Sequence, residues 1–227
     1  MKKPKILLDA RILRSGFNKN ASRSGIYFVA YNIFRNLLTN KEGDVVLYCS
    51  YADIDLFKRL FAEEKIFSDI KFYTYDKDCF PFYNTYTSYK KKRTKSRKKK
   101  KIFKKLYFQL ILTVLAPFYH FYKYLYDKNK FFEYNCFLSP MYKIPDEVAE
   151  SKKLKKYTIL HDVIPLILTE KVYKHSADSW FTQLINSLNK NDFYICVSEY
   201  TKKDFLKHCP AMDPNKTFVN YLSLQAR

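Results

Sequence analysis

Two adjacent polar residues, His161 and Asp162, stand where the apolar run Tyr157-Thr-Ile-Leu160 stops, and Pro165 then prevents a strand from continuing. In open α/β sheets ligands collect beyond the carboxyl ends of the strands, so this pair is a candidate catalytic centre. An imidazole there can donate to a substrate hydroxyl or a developing charge, and a carboxylate can accept from a hydroxyl. The same residues also fit an ordinary loop, with Asp162 capping a turn and His161 making a satisfied polar contact.

Two further groups carry possible chemistry. Ser198 and Glu199 follow the apolar run Phe193–Val197. Thr201 with Asp204 reads as a capping pattern for the next helix, which accounts for those two residues and leaves Ser198 and Glu199 as candidate substrate contacts. Near the N-terminus, Ser24-Gly25-Ile26-Tyr27 opens a helical pattern. A glycine at a helix start lets a ligand approach the backbone, and the free N–H groups there attract anions. That makes Ser24, Gly25 and Tyr27 candidate substrate-binding residues; a plain helix cap by Ser24 is the alternative.

The elements that must position these groups alternate. Lys5–Leu13, Asp44–Ser50, Ile70–Tyr75, Tyr134–Leu138, Tyr157–Leu160, Phe193–Val197 and Thr217–Leu222 read as strands. Ile26–Leu38, Ala52–Lys65, Ala177–Asn189 and Thr201–His208 show helical spacing. Alternation of this kind predicts an α/β fold, a Rossmann-like, doubly wound and mostly parallel sheet. No internal repeat is evident. With 227 residues, 47% hydrophobic, the chain can bury a substantial core. Five cysteines without C-x-x-C spacing predict reduced thiols in a cytoplasmic protein. The start, with three apolar residues before Asp9, reads as a first strand rather than a signal peptide.

Ser-Gly-Ile at the first helix, His-Asp-Val-Ile-Pro after a central strand and Val-Ser-Glu-Tyr-Thr-Lys-Lys-Asp-Phe near the end occur in a set order. That set resembles the N-terminal, acceptor-side domain of GT-B glycosyltransferases of family GT4. The resemblance covers nearly the whole chain except residues 80–130. It implies a partner Rossmann-like domain across a cleft. It also implies transfer of a sugar from a nucleotide donor with retention and without a metal, in cell-surface glycan or polysaccharide assembly. Ser24 and Gly25 would then face the donor phosphates, His161 would touch the transferring sugar, and Ser198 and Glu199 would line the cleft floor. No cofactor beyond the nucleotide-sugar substrate is implied.

The family's donor grip includes a Glu-x7-Glu motif, and no two glutamates here are eight positions apart. The expectation is therefore an acceptor-binding half, inactive or weakly active alone, as a fragment or as one subunit of a split transferase with a separate donor-binding subunit. A non-catalytic, membrane-associated accessory subunit is the alternative. Asp53-Ile-Asp55 and Asp76-Lys-Asp78 match the D-x-D of metal-dependent transferases. A helix start explains the first and a Lys-rich turn the second, so no metal site is expected.

The charge is uneven. Of the net +20, Lys90–Lys105 supplies ten Lys and two Arg with no acid, and the rest of the chain carries +8. The run includes Lys98, Lys99, Lys100, Lys101, Lys104 and Lys105, and it leads into Leu106–Tyr122, 17 residues without formal charge. The flanking strands should share one sheet, which argues against a membrane span. An interfacial helix pair on the inner face of the cell membrane fits better, with lysines on anionic lipid and a lipid-linked or glycan acceptor delivered to the cleft. A solvated loop is the bland alternative. Nucleic acid is the weaker one, since no reader motif accompanies the lysines.

Overall fold

The computed structural model describes residues 3–17, 25–40, 43–62, 70–75, 83–98, 102–164 and 179–221. The chain divides into two compact units, Met1–Tyr75 with Glu133–Arg227, and Asp76–Phe132. The first is a seven-stranded sheet in the order β3-β2-β1-β4-β5-β6-β7, every pairing parallel. Its strands are β1 (Lys5–Asp9), β2 (Asp44–Cys49), β3 (Lys71–Thr74), β4 (Cys136–Ser139), β5 (Lys155–Leu160), β6 (Phe193–Cys196) and β7 (Thr217–Val219). Its helices are α1 (Gly25–Asn40), α2 (Ile54–Phe61), the single turn α5 (Asp146–Ala149), α6 (Trp180–Ser187) and α7 (Glu199–His208). The second unit consists of α3 (Tyr83–Lys98) and α4 (Ile102–Asn129). The Rossmann-like, doubly wound α/β fold expected from the alternation is thus present.

Period-two alternation on β1 and β2 sends side chains to two cores. Leu8, Val45 and Leu47 pack with Ala30 and Phe34 of α1 and with Phe57 and Phe61 of α2. Tyr48 points the other way, edge-on to Phe137 of β4 at 5.2 Å between ring centroids and stacked on Tyr73 of β3 at 5.9 Å. A second core joins Leu160 of β5 and Tyr194 and Cys196 of β6 to Leu184 of α6 and Phe205 of α7. Gly43 sits where the chain enters β2 hard against β1: a Cβ there would lie 3.0 Å from the Pro4 carbonyl oxygen.

Strand order reverses between β1 and β4, the topological switch point where ligands bind in open parallel sheets. Here β1 ends earlier than its apolar run suggests. Instead of extending to Leu13, it stops at Asp9, and Arg11–Phe17 forms a 3-10 helix. The cause is local: the Asp9 carboxylate accepts the Arg11 backbone N–H at 3.1 Å, which turns the chain out of the sheet. The expected helix over Ala52–Lys65 is likewise shorter in its described part, with a 3-10 turn, Tyr51–Asp53, capped by Ser50 before α2 begins. Thr217–Leu222 gives a strand only over Thr217–Val219, and Ala177–Asn189 a helix over Trp180–Ser187 capped by Ser179; residues 177, 178 and 222 lie outside the described residues.

The hairpin unit is held by its seam. Tyr119 of α4 stacks on Tyr86 of α3 at 4.1 Å, and Arg93 Nη1 donates to Gln109 Oε1 at 2.6 Å. After α4 the chain turns at Phe131, whose φ of 63° is left-handed and whose side chain is buried.

Candidate functional site

The carboxyl edge of the sheet carries a connected set of polar groups. His161, the first residue beyond β5, is half-buried, and its Nε2 lies 2.7 Å from the Pro140 carbonyl oxygen beyond β4. A carbonyl only accepts, so Nε2 carries the proton and Nδ1 of the neutral ring is an acceptor. No described residue engages Nδ1. Burial holds the imidazole below its usual pKa, against the opposing pull of the Pro140 carbonyl and the Asp162 charge. In its neutral form the ring can therefore accept from a hydroxyl at Nδ1. The donation by the imidazole expected from the sequence would have to come from Nδ1, since Nε2 is engaged by Pro140, and so requires the disfavoured cation.

Asp162 follows the loop reading. It is exposed, and its Oδ1 accepts the Ile164 N–H at 3.1 Å, closing a short turn before the chain leaves the described residues at position 165. It is not hydrogen-bonded to the imidazole among the described residues.

Ser198 is placed with His161, through one intermediary. Ser198, not Thr201, is the N-cap of α7, its Oγ accepting the Thr201 N–H at 3.1 Å. Thr201 Oγ1 in turn donates to the His161 carbonyl oxygen at 3.2 Å. The cap expected at Thr201 with Asp204 is thus displaced by one turn, because the first free serine oxygen after β6 already satisfies α7. Glu199 is the first residue of α7 and exposed, where a carboxylate is favoured by the helix dipole.

At α1 the candidates separate. Ser24 lies outside the described residues. Gly25 begins α1 and is exposed; a Cβ there would meet nothing within 4 Å, so no protein contact among the described residues demands glycine. Tyr27, expected at the substrate face, is only 2% exposed and belongs to the core, edge-on to Phe28 and stacked near Tyr31. Helical periodicity explains this: position 27 lies one turn before Ala30 and two before Phe34, on the buried face.

The switch point holds a group that sequence reading missed. Asp9 is 0% exposed and lies beside β4, where Leu8 pairs with Leu138. Arg11 binds its carboxylate through Nε at 2.9 Å and Nη2 at 2.6 Å, donates from Nη2 to the Lys143 carbonyl oxygen at 2.8 Å, and lies over the Tyr142 ring. Ser139 Oγ reaches Asp9 at 3.4 Å and the Tyr142 carbonyl oxygen at 2.6 Å. Next to them Tyr48 donates to Glu147 Oε1 at 2.6 Å, with burial and this bond holding the phenol protonated. A fully buried, bidentate carboxylate is a brace rather than a base. Arg11 keeps 31% of its side chain exposed, and no described residue engages Nη1, so N–H donors remain accessible at the switch point. The signal in the sequence was a carboxylate inside an apolar run with an arginine two positions on.

Of the acidic pairs, Asp53 is buried and ion-paired with Arg14 at 3.5 Å, and Asp55 lies in the first turn of α2. Asp76 and Asp78 lie outside the described residues. Lys104 and Lys105 are exposed in the first turn of α4; Lys98 ends α3, its side chain outside the described residues with Lys99, Lys100 and Lys101. No protein-family model matches the chain, and no curated protein matches it significantly.

Proposed function

We propose that the sheet unit is the acceptor-side domain of a GT-B, GT4-like glycosyltransferase that uses a nucleotide sugar and retains the configuration of the transferred sugar. The observation that carries this reading is His161. It stands at the carboxyl end of β5 with its ring fixed by the Pro140 carbonyl, which leaves Nδ1 able to accept from a hydroxyl. The exposed start of α1 at Gly25 and the cap of α7 at Ser198 and Glu199 supply N–H groups and polar side chains at the same carboxyl edge. Arg11, its charge balanced by Asp9, still offers N–H donors at Nη1 beside the switch point, suited to a phosphate oxygen of a nucleotide diphosphate or a phosphate-linked acceptor. The domain contributes the acceptor wall, and a second, donor-binding domain contributes the diphosphate grip.

The test uses the purified 227-residue chain with glycan and lipid-linked acceptors and, separately, with nucleotide sugars. Saturable acceptor binding is expected by saturation-transfer NMR, weakened roughly tenfold by His161→Ala, the size expected for one lost hydrogen bond to a substrate. Nucleotide-sugar binding is expected to be weak and turnover undetectable. Robust turnover by this chain alone would refute the acceptor-half reading. Asp162, which accepts from its own loop at Ile164 rather than meeting the imidazole, favours one second reading, a non-catalytic accessory subunit. Absent acceptor binding, together with acceleration of a partner transferase by the added chain, selects it.

A further inference from the structure

The α4 helix turns much of its apolar surface outward. Phe103, Tyr107, Leu110, Val114, Phe121 and Leu125 are spaced by three, four or seven residues, so they form one stripe along the helix. All are exposed, Phe103 to 89% and Leu110 to 69%. The opposite face carries Phe108, Leu112 and Tyr119, which meet α3: Leu112 is buried, and Phe108 lies 6.0 Å from Tyr89. The α3 helix therefore backs α4 and leaves the stripe facing solvent.

Three occupants suit such a stripe, and connectivity with charge selects one. Ile102–Leu125 is long and apolar enough to cross a bilayer. Yet β3 and β4, on either side of the hairpin, belong to one sheet, and the other leg is a 16-residue helix containing Lys90, Lys91, Lys92, Arg93 and Lys95. That leg is too short and too charged to return through hydrocarbon. A second copy of the stripe would bring together two basic runs, each with ten Lys and two Arg between positions 90 and 105. An anionic lipid surface satisfies the apolar and the basic groups at once. On one flank of α4, moreover, a groove of about 480 Å³ has a mixed lining, apolar along Leu112, Ala116 and Pro117 and basic at Lys90 and Arg93, whose Nη1 already donates to Gln109.

We propose that the α3–α4 hairpin docks in the plane of an anionic bilayer, the stripe entering the acyl boundary and a phosphate headgroup seated between Lys90 and Arg93. This does not rest on the glycosyltransferase reading, and it stands or falls separately.

The full chain is sedimented with phosphatidylcholine vesicles with and without roughly a third phosphatidylserine, a composition that gives a strongly negative surface. Binding to the anionic vesicles is expected to exceed binding to neutral ones about tenfold and to weaken with salt. Leu110→Ser with Val114→Ser should abolish binding, and Lys90→Gln with Arg93→Gln should cut the anionic preference severalfold, more than Lys104→Gln with Lys105→Gln, all with unchanged circular dichroism. Tryptophan placed at Phe103, Val114 or Leu125 in a Trp180→Phe background should be quenched by brominated lipid at one common, shallow depth. A deep position 114 between shallow ends overturns the in-plane geometry. Equal binding to neutral and anionic vesicles overturns the headgroup site. A lipid-free dimer broken by Leu110→Ser, or a nucleic-acid gel shift without vesicle binding, overturns the docking itself.

Discussion

The sheet unit and the hairpin sort the same residue types in opposite ways. In the sheet unit Phe34, Phe57, Phe137 and Phe205 are fully buried, and Asp9 is paired inside. In the hairpin Phe103 and Phe121 face outward, and the basic run contains no acid. Architecture explains the contrast. A sheet covered by helices offers each apolar side chain a partner layer, whereas two helices alone share a single seam and must leave their far faces bare. Apolar content therefore marks a core only where a second layer exists. The two units also differ in what they expose: the sheet unit presents polar groups at its strand ends, and the hairpin presents an apolar stripe.

The largest expected contrast is between two phenylalanines. Phe34→Ala should destabilise the sheet unit by about 3–5 kcal/mol in urea titration, while Phe103→Ala should stay within about 0.5 kcal/mol. Equal effects would break the comparison, because Phe103 would then be a core residue. Next in size is Asp9→Ala, which strands the Arg11 guanidinium. Its partial exposure relieves part of the penalty of a fully buried charge, so a loss of about 2 kcal/mol is expected, and Asp9→Asn should recover little of it. Ser198→Ala removes the α7 cap and should cost about 1 kcal/mol, with Ser198→Asp recovering most of it. An unchanged midpoint for Ser198→Ala would return the cap to Thr201.

The smallest effect concerns His161, whose pKa is lowered in the folded chain by burial. Between that lowered value and the ordinary value of about 6.5, the unfolded chain binds the extra proton and the folded chain does not. The neutral ring's contribution is thus full above the ordinary value and is lost as pH falls from there through the folded value. Urea midpoints at mildly acidic and neutral pH should differ more in the wild type than in His161→Gln. An identical pH slope in both would show that the imidazole is solvated.

Strand and helix alternation was legible because period two and period 3.6 survive in the sequence wherever an element is backed by a core. It failed where a local polar bond outweighed the pattern. Lys5–Leu13 reads as one strand until Asp9 captures the Arg11 N–H. Thr201 matches a capping pattern, yet Ser198 reaches the helix first. Tyr27 was placed at the site by its nearness to Gly25, although its helical phase buries it. The single turn Asp146–Ala149 is too short to show periodicity, so Glu147 as the partner of Tyr48 was invisible. His161 was legible as a position, but its protonation pattern was not, because Pro140 meets it from 21 residues away.

The connection bearing the hairpin runs from β3 at one edge of the sheet to β4 on the far side of β1. Because all pairings are parallel, the chain must travel from the carboxyl end of one strand to the amino end of the other. It must also shift sideways by three strand spacings, about 14 Å. No crossover of fewer than about a dozen residues achieves this. The hairpin is thus cargo on a bridge the fold requires in any case. A plain tether of sufficient length in place of residues 77–131 should leave the sheet register intact, while direct fusion should pull β4 away from the switch point. The length of this appendage is therefore a variable that the sheet register does not set.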